Sequence, residues 1–214
     1  MPATPCETLP LHDVLIVGGG LVGASLAIAL DRLGVDVGMV EAAPAGALPA
    51  VFDERNLSFA EATLHALTAL GVMPLLGAPT GAIRRIHISR AGDFGRIRLH
   101  AEEHGRSEFG RVVVARDFGE ALEARLAQLA HLTRYRPARF VGLGDGDAAQ
   151  RRIRIADAAG EREIAARLLV AADGSRSAVR DALGIEAREH DYAQTLFVTR
   201  LRSLIDAQGG WISF

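Results

Sequence analysis

The sequence predicts an α/β fold of the Rossmann type, with a parallel sheet, a β-meander and an incomplete antiparallel sheet beside them. Three short and largely apolar runs carry this prediction, at residues 13–17, 35–40 and 168–172, with Asp13 and Asp36 as the charged exceptions. Runs without a polar alternation are typical of parallel strands that are buried on both faces. Shorter alternating stretches lie between the second and third runs, and these favour antiparallel strands.

The first apolar run leads directly into a glycine-rich turn. Gly18, Gly20 and Gly23 have the G-x-G-x-x-G spacing of a dinucleotide-binding turn. In such a turn the first glycine permits the tight bend, the second lets a pyrophosphate approach the backbone, and the third lets the next helix pack closely on the strand. The pyrophosphate would lie at the N-terminus of that helix, where free N–H groups and the helix dipole favour negative charge. We expect the helix to bury one apolar face, made of Val22, Leu26, Leu30 and Leu33.

Glu41 ends the second apolar run, about 20 residues beyond the glycines, where a carboxylate that binds ribose hydroxyls belongs. A carboxylate here argues against a 2′-phosphate, because the two anions would repel each other. Glycine spacing alone is weak evidence, and a glycine-rich turn in another kind of α/β protein is the alternative. The order of strand, turn, helix, strand and acid favours a site for the adenosine diphosphate of FAD or NAD.

Composition narrows the class of protein. The 214 residues are enough for one or two domains, 49% of them are hydrophobic, and the formal net charge is −2. These values argue against a disordered chain and against a nucleic-acid-binding protein. Cys6 is the only cysteine, so no intrachain disulfide is expected. The first ten residues do not resemble a signal peptide, and no apolar run reaches the roughly 20 residues that span a bilayer, so we expect a cytoplasmic protein or one peripheral to the inner membrane.

Two further helices are predicted between the strands. The first would run from about Ser58, as the N-cap, to Leu70, where Gly71 ends it, with Leu64, Leu67 and Leu70 facing inward. Asp117 is expected to cap the second. Its apolar residues recur at helical spacing: Phe118, Leu122, Leu126 and Leu129. A short helix at residues 175–183 is expected after the third apolar run.

The alternating stretches predict antiparallel strands. Residues 83–89 and 96–100 would form a hairpin, and residues 111–115 another strand. Residues 132–167 are typical of a β-meander, and residues 194–201 indicate one more strand.

Two motifs match those of other active sites, but their sequence context argues against those functions. His100-Ala101-Glu102-Glu103-His104 matches a zinc motif, but it follows an alternating strand and is ended by Gly105, so a solvated loop is favoured. Asp117-Phe118-Gly119 matches the kinase metal-binding triplet, but the other kinase motifs are missing. No Gly-x-Ser-x-Gly elbow and no paired cysteines occur. We therefore expect neither a hydrolase nor a metal site.

Two other segments remain open on the residues alone. Arg55 can pair with a phosphate in a bidentate way, although an ordinary surface arginine is the favoured alternative. Asp173-Gly174 follows the third apolar run, so the carboxylate would lie beside the crevice of a parallel sheet. A simple turn explains this dipeptide equally well.

Taken together and in order, the glycine turn, Asp53-x-Arg55 and the stretch from Leu169 through Asp173-Gly174-Ser175-Arg176-Ser177 to Arg180 resemble the class A flavoprotein aromatic hydroxylases. These are the para-hydroxybenzoate hydroxylase-like FAD monooxygenases. Residues 82–89, followed by Gly92-Asp93-Phe94-Gly95, are similar to the ubiquinone-biosynthesis branch, and within it to the 2-octaprenyl-6-methoxyphenol hydroxylases. The likeness runs from about residue 13 to residue 202.

The resemblance implies an FAD-binding domain at residues 1–80 and 110–184, and part of a substrate domain at residues 81–109 and 185–214. It implies an enzyme that hydroxylates a polyprenylated phenol with NAD(P)H and O₂, peripheral to the membrane or within a biosynthetic complex. Because the flavin carries the chemistry, no catalytic side chain is assigned. The family has a later Gly-Asp motif that holds the ribityl chain, so we expect this chain to be an N-terminal portion. The alternatives are an inactive nucleotide-binding fragment that acts as an interaction module, and an NAD-dependent dehydrogenase.

The resemblance also assigns a set of FAD-binding residues: Gly18, Gly20, Gly23, Glu41, Arg55, Arg116, Asp173 and Gly174. The three glycines would hold the diphosphate and Glu41 the adenosine ribose. Arg55 would lie close to the flavin, and Arg116 is near a position that contacts FAD. The Asp173-Gly174 pair is implicated in both FAD and NAD(P)H interaction.

Overall fold

The computed structural model describes residues 9–195 except 91, 93 and 148. Cys6 therefore lies outside the described residues, as does the predicted strand at 194–201 from residue 196 onward. Among the described residues, no helix is both long enough and apolar enough to cross a bilayer.

The described chain forms eleven strands and four α-helices. In chain order they are β1 (Leu11–Val17), α1 (Leu21–Asp31), β2 (Val37–Val40), β3 (Asn56–Ala60), α2 (Glu61–Ala69), β4 (Gly81–Ile83), β5 (Arg85–Ser89), β6 (Arg96–His100), β7 (Gly110–Val114), α3 (Ala115–Leu126), β8 (Leu132–Tyr135), β9 (Arg139–Leu143), β10 (Arg151–Asp157), β11 (Gly160–Ala171) and α4 (Ala178–Ala182). Short 3₁₀ turns occur at Met73–Leu75 and Ala101–His104.

A six-stranded sheet in the order β8-β2-β1-β11-β10-β9 is the centre of the fold. Strands β8, β2, β1 and β11 run parallel, and the apolar runs predict three of them, β2, β1 and β11. Residues of β1 alternate between two hydrophobic cores, with Ile16 in one and Leu15 in the other. Both faces of this strand are thus covered, which is why its sequence shows no polar alternation.

A single long strand, β11, contains both the end of the predicted meander and the predicted third parallel strand. In β11 the residues from Gly160 pair antiparallel with β10, and those from Ala165 to Ala171 pair parallel with β1. Strands β9, β10 and β11 form the meander. The prediction that residue 132 begins it was wrong, because β8 pairs parallel with β2 on the opposite side of the sheet.

The predicted buried face of α1 was wrong for two of its four residues, Val22 and Leu33. The helix buries Gly23, Ala24, Ala27 and Ile28, whereas Val22 is 65% exposed and Leu33, beyond the helix end, is 77% exposed. Gly23 has to face the glycine turn, so the residues at helical spacing from it are turned to the sheet. Small residues on that face let the helix approach closely, and Leu26 and Leu30 are left partly buried at its flank.

The caps predicted for α2 and α3 were also wrong. Ser58 lies inside β3, which pairs antiparallel with β7, and α2 begins only after Ala60. Asp117 lies in the first turn of α3, whose N-cap is Val114. Strand pairing between segments far apart in sequence here prevails over local capping preferences.

The predicted hairpin is confirmed. Strands β5 and β6 pair antiparallel from Arg85↔His100 to Ser89↔Arg96 and form a two-stranded sheet of their own. Beside it, β3, β7 and β4 form a three-stranded antiparallel sheet. The hairpin therefore extends from this smaller sheet rather than from the central one.

Candidate functional site

Three parallel strands end side by side and form a crevice. The amide of Gly18 donates to the carbonyl of Val40 at 2.8 Å, and the amide of Ala172 donates to the carbonyl of Val17 at 2.8 Å. These bonds hold the segments after β1, β2 and β11 together. Ligands of open α/β sheets bind at this edge, outside the carboxyl ends of the strands.

The three glycines of the turn differ in what surrounds them. Gly18 has φ +106°, and a Cβ there would overlap the carbonyl oxygen of Ala172. A Cβ on Gly23 would overlap the carbonyl oxygen of Gly18, so this glycine lets α1 approach the turn. A Cβ on Gly20 would have Val51 Cγ1 as its nearest atom, at 3.7 Å. The space beside Gly20 is therefore open to a ligand.

Glu41 stabilises the glycine turn through its carboxylate. Its residue is 9% exposed, and its carboxylate accepts hydrogen bonds from the amides of Gly19 at 2.7 Å and Ala43 at 2.6 Å. Each oxygen thus satisfies a backbone donor, one in the glycine turn and one in the loop after β2. The side chain ties these two segments together at the crevice.

The Asp173-Gly174 corner begins the segment after β11. Asp173 accepts hydrogen bonds from Ser177 Oγ at 2.6 Å and from the amide of Val179 at 3.2 Å. Ser177 is the N-cap of α4 and accepts from the amide of Arg180 at 3.0 Å. Gly174 has φ +87° and no atom within 4 Å of a Cβ position, so its requirement is conformational. The corner is a turn, and it also lies at the crevice.

A cleft of about 380 Å³ occupies the crevice. Five of the predicted residues line it: Gly18, Gly20, Glu41, Asp173 and Gly174. The glycine turn and the Asp-Gly corner, more than 150 positions apart in the sequence, thus lie next to each other and line one site. The volume lies within the roughly 300–1,000 Å³ that is common for small-molecule sites.

Gly23, Arg55 and Arg116 do not line this cleft. Gly23 lies behind the turn, and the two arginines lie where β3 approaches the start of α3. The amide of Ala115 donates to the carbonyl of Arg55, and the amide of Arg116 donates to the carbonyl of Asp53, both at 2.8 Å. We call Asp53, Glu54, Arg55 and Arg116 the arginine corner.

The side chains of the arginine corner are paired with each other. Arg55 Nε donates to Asp53 Oδ2 at 2.6 Å, and Arg116 donates to Glu54 and, at 3.3 Å, to Asp117. The hydrogen bond from Arg55 lowers the pKa of Asp53 below 3.8. The charge of Glu54 raises the pKa of Arg116 above its ordinary value. Both guanidinium groups are at least half exposed, at 60% and 50%.

The sequence prediction missed several residues of the cleft wall, among them Arg139, Phe140 and Arg176. Within the described part of the chain, neither of these arginines forms a side-chain hydrogen bond or an ion pair. Arg176 is two positions from Gly174, and that adjacency was a usable signal. Nothing in the sequence around Arg139 indicates the cleft, because its place depends on the sheet order.

Arg136 was also missed. Its side chain is 5% exposed and donates to the carbonyl of Ala43 at 2.8 Å, to that of Ala47, and to Glu123 at 2.7 Å. It therefore holds the loop after Glu41 against α3. This loop leads into Pro49 and Val51, which line the cleft.

No group of three or more His, Cys, Asp and Glu side chains within residues 9–195, as far as they are described, could hold a metal ion. The zinc-like motif forms a single 3₁₀ turn at Ala101–His104, followed by Gly105 in a left-handed conformation. Its two histidines therefore do not share a helix face.

Comparisons with known proteins agree with this geometry. The chain is 37% identical over 191 residues to ubiquinone hydroxylase UbiL from Rhodospirillum rubrum, an alignment that covers 87% of this chain and 42% of that protein. The chain thus spans less than half the length of this relative. OxyS anhydrotetracycline hydroxylase from Streptomyces rimosus is 25% identical, with a TM-score of 0.68, over 85% of this chain and 35% of that one.

A third comparison concerns the fold alone. p-Nitrophenol 4-monooxygenase PnpA from Pseudomonas putida superimposes with a TM-score of 0.69 at 20% identity, over 83% of this chain and 44% of that one. The α/β fold and the resemblance to flavin-dependent aromatic hydroxylases, both predicted from sequence, are confirmed. Residues 12–207 match the family described as the FAD binding domain, and the chain belongs to this family.

Proposed function

We propose that this chain binds FAD in the cleft between the glycine turn and the Asp173-Gly174 corner, as part of a monooxygenase that hydroxylates a polyprenylated phenol in ubiquinone biosynthesis. The convergence of Gly18, Gly20, Glu41 and Asp173 on one cleft carries the proposal. It joins the parts that a dinucleotide needs: exposed backbone at the start of a helix and a carboxylate beside it.

The residues of the cleft fit the adenosine diphosphate half of the cofactor. The open space at Gly20 lets a diphosphate approach the first turn of α1, whose amides lack a side-chain cap. Arg139 and Arg176 supply positive charge on the cleft wall, and Arg is suited to bidentate binding of phosphate oxygens. Glu41 keeps the turn in place and lines the part of the cleft assigned to the ribose.

The arginine corner is assigned to the flavin half of FAD. Arg55 and Arg116 lie outside the cleft with half-exposed guanidinium groups, which are accessible to a longer ligand that leaves the cleft. Asp53 and Glu54 hold these guanidinium groups in place through hydrogen bonds. Bound FAD would supply a hydride acceptor for NAD(P)H and a centre that activates O₂, from which one oxygen atom would go to the phenol and the other to water. The chain's part in this is to position the cofactor.

The substrate and its setting are proposed from a relative of the chain. A polyprenylated phenol is proposed from the likeness to ubiquinone hydroxylase at 37% identity. Such a substrate is lipid-soluble, so we also propose peripheral association with the membrane. Residues 81–109 and 185–214 are proposed as the beginning of the substrate domain, and residues 1–80 and 110–184 as the FAD-binding domain. The exposed hairpin β5–β6, which stands apart from the central sheet, supports this division.

Titration with FAD, followed by flavin fluorescence, tests the cofactor proposal. Gly20→Ala adds a Cβ that meets no protein atom closer than 3.7 Å, so folding is retained, but the methyl group takes space assigned to the diphosphate. We expect FAD affinity to fall at least about tenfold, a loss of about 1.4 kcal/mol. Gly77→Ala is the matched control, because Gly77 has no atom within 4 Å of a Cβ position and lies outside the cleft.

Three results of this experiment would contradict the proposal. Equal affinity of both variants would show that no diphosphate lies at Gly20. Absence of FAD binding to the parent chain would remove the cofactor. Tighter binding of NAD than of FAD would favour the dehydrogenase alternative. FAD binding without consumption of NADH in the presence of phenols would instead favour a nucleotide-binding module.

A further inference from the structure

The hairpin β5–β6 exposes an apolar face and an aromatic tip. Cross-strand pairs Ile86↔Leu99 and Ile88↔Ile97 place four aliphatic side chains on one face. Ile88 is 53% exposed and Ile97 is 56% exposed. Phe94, in the turn that joins the strands, is fully exposed. Exposed apolar side chains on a hairpin that forms a sheet of its own are typical of an interaction site.

The same segment is strongly basic. Residues 84–100 contain five arginines and one acid, a formal charge of +4 in a chain whose total is −2. The remainder of the chain is therefore acidic overall, opposite in sign to this hairpin. The sequence contains no lysine, so every side chain of the Lys or Arg class is an arginine. The five in this segment are Arg84, Arg85, Arg90, Arg96 and Arg98.

Most of these arginines have no partner within the described chain. Arg84, Arg85, Arg96 and Arg98 are exposed and form no side-chain hydrogen bond or ion pair with a described residue. The arginines that follow the hairpin behave differently: Arg106 pairs with Glu61, Arg111 with Glu108, and Arg116 with Glu54. The hairpin thus holds unneutralised cations where neighbouring segments neutralise theirs.

Charge and apolar surface meet at the tip. A cleft of about 580 Å³ there is lined by His87, Ser89, Arg90, Phe94, Gly95 and Arg96. It combines guanidinium groups, a hydroxyl and an exposed aromatic ring in one opening. Arginine binds phosphate in a bidentate way, and exposed aromatic rings prefer the boundary between headgroups and acyl chains.

We propose that the tip of the β5–β6 hairpin binds the surface of an anionic lipid bilayer. Phe94 enters the headgroup boundary, with Ile88 and Ile97 beside it. Arg96 and the tip cleft bind lipid phosphates, while Arg85 and Arg98 add long-range attraction to the negative surface. The charge pattern favours this partner, because exposed arginines that pair with no described carboxylate lie on the same hairpin as exposed apolar side chains, and an anionic bilayer attracts both.

This inference extends the peripheral membrane association of the proposed function, and its test does not require FAD. The full 214-residue chain is sedimented with vesicles of phosphatidylcholine alone, and with vesicles that also contain phosphatidylglycerol. We expect binding to the mixed vesicles, with a partition coefficient at least about fivefold higher than for phosphatidylcholine, because each arginine near an anionic surface adds roughly this factor. Added salt should weaken the binding.

Two substitutions locate the surface. Phe94→Ser and Arg96→Glu should each lower the partition coefficient at least about fivefold. Matched controls are Leu183→Ser, an exposed apolar residue at 52%, and Arg188→Glu, an exposed arginine beyond α4, and these should bind as the parent does. Circular dichroism confirms that all four variants are folded, and FAD titration of the same samples should give unchanged affinities.

Several outcomes would overturn the inference. Binding that is equal for both vesicle types, absent, or unaffected by Phe94→Ser and Arg96→Glu would each remove the proposed surface. A dimer that Phe94→Ser converts to a monomer would show that a second copy covers the tip instead. A chain that binds vesicles but not FAD would contradict only the cofactor proposal, and the reverse result only the membrane surface.

Discussion

The cleft and the arginine corner are held by different kinds of interaction, although both were predicted from short motifs. In the cleft, Glu41 is buried and its carboxylate satisfies two backbone amides, while Gly18 is fixed against Ala172. In the arginine corner, Arg55 and Arg116 are half exposed and pair with carboxylates that are also exposed. Buried hydrogen bonds define one geometry, whereas exposed ion pairs contribute little and rearrange easily. The cleft is therefore preformed, and the corner is adaptable.

Among the substitutions that test this difference between cleft and corner, Gly23→Ala should have the largest effect. A Cβ in Gly23→Ala would overlap the carbonyl oxygen of Gly18, which is backbone and cannot turn aside. We expect the free energy of unfolding to fall by about 3 kcal/mol, the upper end of the usual cost of overpacking, with FAD binding lost in parallel. Urea denaturation measures the change. Gly20→Ala is the control and should unfold nearly as the parent does, because its Cβ has open space.

Equal destabilisation by Gly23→Ala and Gly20→Ala would break the comparison. It would mean that the whole turn is tightly packed and that no space for a ligand exists at Gly20. Retained stability of Gly23→Ala would mean instead that α1 can move away from the turn. In either case the cleft would not be preformed.

Glu41→Gln should give an intermediate effect. The amide group can accept from only one of the two backbone donors, and its NH₂ group faces the other. A buried N–H is then left unsatisfied, which costs about 1–3 kcal/mol of stability. Thermal unfolding and FAD titration should both show the loss. Glu54→Gln, at a carboxylate that is 59% exposed, should leave the unfolding temperature unchanged.

A similar response of Glu41→Gln and Glu54→Gln would remove the distinction between buried and exposed carboxylates. A loss of FAD affinity in Glu41→Gln without any loss of stability would sharpen the role of Glu41. It would show that the carboxylate acts on the ligand rather than on the turn. The ribose assignment would then gain direct support.

The parallel strands in the three apolar runs could be predicted because each buried position in these runs is occupied by an apolar residue. Residues of β1 alternate between two cores, so its sequence is apolar throughout. The helix face and the caps could not be predicted in the same way. The face of α1 is set by the contact of Gly23 with the turn, and Ser58 lies in a strand because β7, more than fifty positions away, pairs with it.

The residues of the site also divide into those that local sequence predicts and those that it does not. Glu41 and Asp173 directly follow predicted strands, so a parallel sheet brings them to one edge. Arg139 begins a strand of the meander, and it reaches the cleft only because β11 continues from the meander into the parallel sheet. Arg55 and Arg116 meet through backbone hydrogen bonds that no local pattern indicates. Residues at the ends of apolar strands were predictable, and those placed by sheet order were not.

The smallest expected effect is the acid response of the arginine corner. Arg55 lowers the pKa of Asp53 below 3.8, so this pair stabilises the fold above that pH and ceases to do so as the pH falls through the lowered value. Asp53→Asn should therefore unfold at a slightly lower temperature than the parent at pH 7. The difference should close below about pH 4. Thermal melts across this range measure it, and a gap that widens in acid would contradict the assigned pairing. Because Asp53 and Arg55 are both solvent-exposed, the gap at pH 7 should stay well below that of Glu41→Gln, and the corner can then release Arg55 to a ligand at little cost.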